Sequence, residues 1–174
     1  MKDNNENRKK ITIEEILNIY KRVKIIDEPQ CPFPQVDNFN NFVNFCLSIK
    51  NNMSIEELKI KHNLKPRHFN FYISAGRYLY ILDSGTELTV LGEVLFNLDE
   101  RTRNLIIVEL ILSHKPFHDI FYRFIVSSHV PSSDEIYEII KDMKLYHINS
   151  EVTLRRRAQS ARQWIVWIVS LCEF

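Results

Sequence analysis

The chain has 174 residues, of which 45% are hydrophobic and 26% charged, and its 23 basic side chains nearly balance its 22 acidic ones. This composition allows a buried core and excludes disorder of the whole chain, while the net charge of +1 gives no bulk sign of a nucleic-acid partner. Three cysteines, odd in number and far apart, exclude a disulfide framework and a CxxC zinc site. No apolar run reaches the roughly 20 residues of a membrane span, so the sequence predicts a cytoplasmic protein.

The chain opens with a polar tail and two amphipathic helices. Residues 1–10, MKDNNENRKK, predict a flexible tail. The sequence TIEE at 12–15 has capping-box spacing and predicts the start of the first helix. Three prolines within residues 25–36 predict an extended connection, and Asp37 or Asn38 then caps the second helix.

Residues 51–80 have the pattern of the second and third helices of a helix-turn-helix. A second capping box at 54–57 starts one helix, and Pro66 suits the first position of the next. Two short apolar runs around 83–85 predict a small hairpin where a winged fold has its wing. Residues 11–98 are therefore predicted to form one unit, N-terminal helices followed by a winged helix-turn-helix.

Residues 99–174 predict a second helical unit packed on the first. Asp99 opens a strongly apolar helix, Pro116 forces a break before the next one, and a third capping box at 132–135 starts another. The closing helix, within 150–174, carries both tryptophans. The predicted fold class is mainly α: a winged helix-turn-helix with a short β-hairpin wing, then a second helix-turn-helix-like unit.

Two stretches of the chain resemble one family. RHFNFYISAGRYL at 67–79, followed by LTVLG at 88–92, is similar to the first half of a small winged-helix family of unknown function that accompanies type II restriction endonucleases. TLRRRAQSARQWIVWI at 153–168 is similar to that family's closing helix. The resemblance implies a DNA-recognition or assembly module of a restriction-modification system, without a nuclease domain on this chain. The sequence departs from it at His68, where a Gln is expected, and at Tyr80, where a Gly is expected.

Two groups of polar and basic side chains are candidates for contact with double-stranded DNA. Arg67 and Asn70 are residue types that bond bidentately to guanine and adenine edges, and a recognition helix presents its early turns to the bases. Arginines of the closing helix are candidates for phosphate contacts, which are independent of sequence and sensitive to salt. The predicted DNA-binding set is Lys65, Arg67, His68, Asn70, Ser74, Arg77, Arg155, Arg156, Gln159 and Arg162.

Both groups have a structural alternative. The outer face of residues 65–77 also suits a solvated helix used for protein contacts, and the arginines of the closing helix can pair with the acids of 132–142. Arg157 falls on the apolar side, which predicts a partly buried arginine stacked on an indole or paired with a carboxylate. The alternative functions are a non-catalytic subunit, dimeric in one version, that docks on a nuclease or methyltransferase, and a freestanding transcription regulator.

No residue pattern in the chain predicts catalysis, a metal or a cofactor. The E-x-K spacing at 57–59 is that of metal-dependent nucleases, but it falls in a predicted helix, where side chains do not alternate toward one metal. His114 and His118 are four apart, yet Pro116 between them breaks the shared helix face. Three glycines leave no phosphate-cradling loop. The aromatic residues at helical spacing favour a core over a stacking surface for single strands.

Overall fold

The computed structural model describes residues 10–173, so the tail predicted at residues 1–10 lies, except for its last residue, outside the described part of the chain. Within that part the protein is mainly α-helical, as the sequence predicts. The helices are α1 (Ile13–Arg22), α2 (Phe39–Lys50), α3 (Ile55–Lys61), α4 (Pro66–Tyr78), α5 (Val90–Leu95), α6 (Glu100–Ser113), α7 (Lys115–Ser127), α8 (Ser133–Ile140) and α9 (Glu151–Ser170). The strands are β1 (Ile11–Thr12) and β2 (Cys172–Glu173).

The helix starts lie where the sequence predicts them. Thr12, Ser54 and Ser132 are the N-caps of α1, α3 and α8, and each hydroxyl accepts from the main-chain N–H of the glutamate three residues later. That glutamate in turn accepts from the cap residue's own N–H, so all three capping boxes are complete. Asn38 is the cap of α2, and Pro66 is the first residue of α4, where a missing N–H costs no hydrogen bond.

The predicted break before Pro116 is confirmed and consists of one residue, His114. It ends α6 and begins α7, with an extended backbone at φ −82° and ψ 124°. Pro116 follows in the first turn of α7, where its ring is tolerated. The main-chain N–H of Ile26 donates to the carbonyl of Ser113 at 3.0 Å, so the connection between α1 and α2 is fastened beside this break.

The predicted hairpin after α4 is a tight turn closed by a single antiparallel bridge between Leu82 and Leu88. The left-handed residue beside it is Tyr80, with φ 57°, whereas Gly85 in the turn has no positive φ. A left-handed backbone strains a bulky side chain and leaves glycine unstrained, which explains physically why a glycine is expected at position 80.

The core is one continuous cluster that draws side chains from both predicted units. Trp164 of α9 lies at its centre, stacked on Phe117 with 5.0 Å between centroids and edge-on to Phe39 at 4.8 Å. Phe33, from the proline-containing connection, is buried against Phe117 at 5.3 Å. The connection contains no helix, and apart from an isolated bridge at Ile26 it is irregular, yet it supplies part of the core.

A pairing that the sequence does not predict joins the two ends of the described chain. β1 and β2 run parallel, with Ile11 opposite Cys172 and Thr12 opposite Glu173. Two residues on each side are too few for a periodic pattern, so no alternation in the sequence marks these strands.

Candidate nucleic-acid interface

The first turns of α4 present the face that the sequence predicts. Arg67, His68 and Asn70 are exposed, whereas Phe69 and Ile73 on the opposite side are buried. Lys65, the residue before the helix, is also exposed.

A cleft of about 470 Å³ lies between α4, α9 and the end of the connection that precedes α2. We call it the α4–α9 cleft. Arg67 and His68 line it from α4, and Arg156 lines it from α9. The structure therefore brings together basic side chains of the two predicted groups, one from residues 67–79 and the other from residues 153–168.

The floor of the cleft is aromatic. Phe71 and Tyr72 contribute their rings, and the guanidinium carbons of Arg67 and Arg157 lie 5.4 and 6.0 Å from the centroid of Phe71. Such contacts are attractive, since the ring face carries negative charge density. Arg157 is half-buried, as predicted, but the ring beside it is that of Phe71 and not an indole.

Burial and then the nearby charge of Arg67 lower the pKa of Arg157. The Nε atom of Arg157 is buried and has no hydrogen-bond partner among the described residues. Two guanidinium groups thus approach one ring with no carboxylate paired to either of them in residues 10–173. An anion bound near this ring would relieve their mutual repulsion.

The opposite wall of the cleft is polar and comes from the connection. Gln35, Asp37 and Asn38 line it, and Asp37 accepts a hydrogen bond of 2.6 Å from the hydroxyl of Ser160. The sequence predicts Asp37 or Asn38 as the cap of α2, and neither belongs to the predicted DNA-binding set. Both residues directly follow the proline-containing segment, but no feature of the neighbouring sequence indicates that they face α4.

Arg77 lies at the other end of α4 and is committed to the turn that follows. Its Nε donates to the carbonyl of Asp83 at 2.9 Å, and its Nη2 donates to the carbonyls of Ser84 and of Gly85, the latter at 2.7 Å. These bonds hold the turn against the helix. Ser74, on the same predicted face, is half-buried.

Arg155 pairs with an acid of residues 132–142, the alternative to a phosphate contact that the sequence also allows. It donates to Glu151 at 2.8 Å and to Asp134 at 3.2 Å, and its guanidinium carbon lies 4.1 Å from the ring centroid of Tyr137. Arg155 therefore ties α9 to α8. It does not line the α4–α9 cleft.

Gln159 and Arg162 line a neighbouring shallow groove of about 450 Å³ together with Asp37, Ser133 and Gln163. Asp37 borders both this groove and the α4–α9 cleft. The predicted set thus divides into a cleft group, a groove group, Arg155 in its ion pairs, Arg77 in its turn, and three residues of the α4 region that line neither pocket: Lys65, Asn70 and Ser74.

The cations near these surfaces that make no ion pair with any described residue include Lys65, Arg67, Arg156 and Arg162, together with the half-buried Arg157. Their charge is therefore available to a ligand, in contrast to that of Arg155. Among residues 10–173 no group of three His, Cys, Asp or Glu side chains is placed to hold a metal ion. In the same part of the chain, no helix combines the length and the apolar character needed to cross a bilayer.

The fold and the cleft define a mainly helical protein with a basic, aromatic-floored surface. The chain belongs to the family described as Domain of unknown function (DUF7226), whose model matches residues 41–173. That match runs from α2 to β2 and includes both groups of predicted site residues. No curated protein and no solved structure matches the chain.

Proposed function

We propose that this protein is a double-stranded DNA-binding module of the winged-helix kind, a recognition component of a restriction-modification or related defence system. In this proposal α3 and α4 form the helix-turn-helix, α4 enters the major groove, and the turn after α4 is a small wing. The carrying observation is that Arg67, His68 and Arg156, from α4 and α9, line one cleft.

The side chains have separate roles in the proposal. Arg67 and Asn70, exposed on the early turns of α4, contact base edges in the major groove. Lys65 and Arg156 contact DNA phosphates on either side of these bases. Such phosphate contacts do not depend on the base sequence. Arg77 supports the wing through its bonds to the turn carbonyls instead of reaching the DNA itself.

The test is equilibrium DNA binding by fluorescence anisotropy at several salt concentrations, after selection of a preferred duplex from a random pool. Arg67→Ala is expected to weaken binding by about 1–3 kcal/mol and to relax the preference at one base pair. Arg156→Ala is expected to lower affinity for all duplexes and to reduce the salt slope by about one.

Arg155→Ala is the matched control, because Arg155 is one residue from Arg156 but is already paired with Glu151 and Asp134. It is expected to leave the salt slope unchanged. Wild-type affinity in the Arg67→Ala and Arg156→Ala proteins alike would overturn the proposal.

A second candidate function, a non-catalytic subunit that docks on a nuclease or methyltransferase, is favoured by an apolar patch around α5. Val90 and Val94 are 84% and 57% exposed, and Leu91 and Tyr80 beside them are exposed as well. Contiguous exposed apolar side chains are typical of protein-binding surfaces. If the partner is a second copy, sedimentation of the wild-type chain shows a dimer that Val90→Lys dissociates. Co-purification with a nuclease or methyltransferase that Val90→Lys abolishes would indicate the docking subunit.

A further inference from the structure

Glu28, in the connection between α1 and α2, joins two buried rings. The hydroxyl of Tyr78 donates to Glu28 Oε2 at 2.6 Å, and Nδ1 of His114 lies 3.2 Å from Glu28 Oε1. The two rings stack with 3.9 Å between centroids. Burial, reinforced by the charge of Glu28, raises the pKa of Tyr78 well above its usual value, so the phenol stays protonated as a donor.

The contact with Glu28 occupies Nδ1 of His114 and leaves Nε2 as the ring nitrogen that can bond to another group. Because a carboxylate only accepts, Nδ1 carries the hydrogen that Glu28 receives, and in the neutral ring Nε2 is then an acceptor. The side chain of His114 is 1% exposed, and Nε2 has no hydrogen-bond partner among residues 10–173. Among these residues the fully buried side-chain nitrogen and oxygen atoms without a partner are Arg103 Nε and Arg157 Nε, so His114 Nε2 is open to the space beside it and can accept a hydrogen bond from a ligand there.

His114 lines a cavity of about 670 Å³, which we call the His114 cavity. Its walls are mainly apolar and include Val23, Ile26, Leu91 and Leu110. Its other lining includes Arg22 and Glu109, which are paired at 2.9 Å and therefore neutralise each other. The lining also includes Lys24 and Asp27, one positive and one negative side chain, so its formal charges balance and an uncharged ligand suits it.

Tyr80 forms part of the same cavity and is held in a strained backbone conformation. Its φ is 57°, and its ring lies nearly parallel to that of His114, at 12° with 6.4 Å between centroids. Tyr80 is the residue after the C-cap of α4, a position that commonly adopts the left-handed conformation, and a tyrosine there carries strain that a glycine would not. The strained backbone places an aromatic plane at the cavity that holds the imidazole.

We propose that the His114 cavity binds a planar heteroaromatic ligand with an N–H donor, of the nucleobase or indole class. The donor bonds to Nε2 of His114, and the flat ring lies against Tyr80 and the apolar walls. This site is independent of the proposed DNA interface. Tyr80 lies just beyond the C-terminal end of α4, whereas the last α4 residue lining the α4–α9 cleft is Tyr72, about 12 Å earlier along the helix axis.

The test uses benzimidazole as the probe and 1-methylbenzimidazole, which lacks the N–H donor, as its matched control. Both are titrated at pH 8 into the full chain, followed by chemical shifts of the backbone amides and of the His114 side chain. Benzimidazole is expected to perturb His114, Tyr80 and Leu91. The methylated compound is expected to bind about tenfold more weakly, because it cannot donate to Nε2.

The variant that separates a ligand site from a merely structural network is Tyr80→Gly. It relieves the left-handed strain, so thermal unfolding is expected at a higher temperature, while affinity for benzimidazole falls about fivefold or more. Tyr122→Ala removes a comparably exposed tyrosine that does not line the cavity, and it is expected to leave the affinity unchanged. Absence of binding, equal affinity for the two probes, or wild-type affinity in Tyr80→Gly would each overturn the proposal. None of these results depends on DNA binding.

Discussion

Trp164 and Val36 are joined by a hydrogen bond of 2.9 Å from the indole Nε1 to the main-chain carbonyl, although 128 positions separate them in the sequence. Trp164 is 0% exposed, so this donor has no access to water. One residue further on, Asp37 accepts from the hydroxyl of Ser160 on the same helix. These two bonds fasten the connection to α9 and thereby fix one wall of the α4–α9 cleft.

The first prediction concerns that bond. Trp164→Phe removes the donor, leaves the Val36 carbonyl without its partner and opens space in the core, so it is expected to destabilise the protein by about 2–4 kcal/mol. Urea unfolding followed by circular dichroism measures the loss. Trp167→Phe is the control, because its Nε1 donates to Asn40, an exposed residue that water can also reach. Equal losses in the two variants would contradict a special role for the Val36 bond.

A second prediction concerns Gly92 in α5. A Cβ atom at this position would lie 2.4 Å from the main-chain oxygen of Ile81, which also accepts from the N–H of Thr89 at 2.9 Å. Helix propensity alone would make Gly92→Ala more stable by about 1 kcal/mol. A loss of stability in this variant would therefore come from the steric conflict with Ile81.

We expect Gly92→Ala to cost about 1–3 kcal/mol in thermal or urea unfolding. Gly85→Ala is the matched control, since Gly85 is exposed and its nearest neighbour would be a carboxylate oxygen of Asp83 at 3.2 Å. Its effect is expected within about 0.5 kcal/mol. A Gly92→Ala protein as stable as the wild type would show that α5 can shift away from Ile81.

A third prediction concerns pH and the cap of α8. The main-chain N–H of Ser132 and then the guanidinium of Arg123 lower the pKa of Glu135 from an ordinary 4.5 to about 2. Because the folded pKa lies below the unfolded one, the stabilisation is present above pH 4.5 and is lost as the pH falls toward 2. Glu135→Gln is therefore expected to flatten the dependence of unfolding free energy on pH between 4.5 and 2. An unchanged slope in that window would contradict the assignment.

A fourth prediction concerns thiol reactivity. Burial raises the pKa of Cys31 to about 11 and also raises the pKa of the fully buried Cys46. At pH 8 the thiolate fraction of Cys31 is then about 0.1%, and alkylation requires the thiolate. Iodoacetamide followed by mass spectrometry is expected to label Cys31 slowly in the folded protein and Cys46 only after denaturation. Rapid labelling of Cys46 under native conditions would reveal local opening of α2.

The helix boundaries could be predicted because their signals are local. The two residues of a capping box, such as Thr12 and Glu15, are always three positions apart in the sequence. The motif can therefore be recognised from the residue types and their spacing alone. The same holds for Ser54, for Ser132 and for the proline that starts α4. Helical periodicity also separated the buried face of α9 from its polar face.

The partners of exposed side chains could not be predicted in the same way. Periodicity shows that Arg155 and Arg156 are both outside, but not that one of them meets Asp134 across a loop while the other lines a cleft. The pairing of Glu28 with His114 crosses 86 positions and has no local signature. The spacing of His114 and His118 brings only a metal site into question, and nothing near either histidine in the sequence points to Glu28.

The parallel pairing of β1 with β2 brings the first and the last strand of the described chain side by side. Paired strands lie about 5 Å apart and rise about 3.3 Å per residue, so Ile11 and Glu173 are diagonal neighbours about 6 Å apart, at opposite ends of the two-residue pair. Two reporter proteins joined at these positions would be held close together, and energy transfer between them would report directly on whether β1 and β2 stay paired.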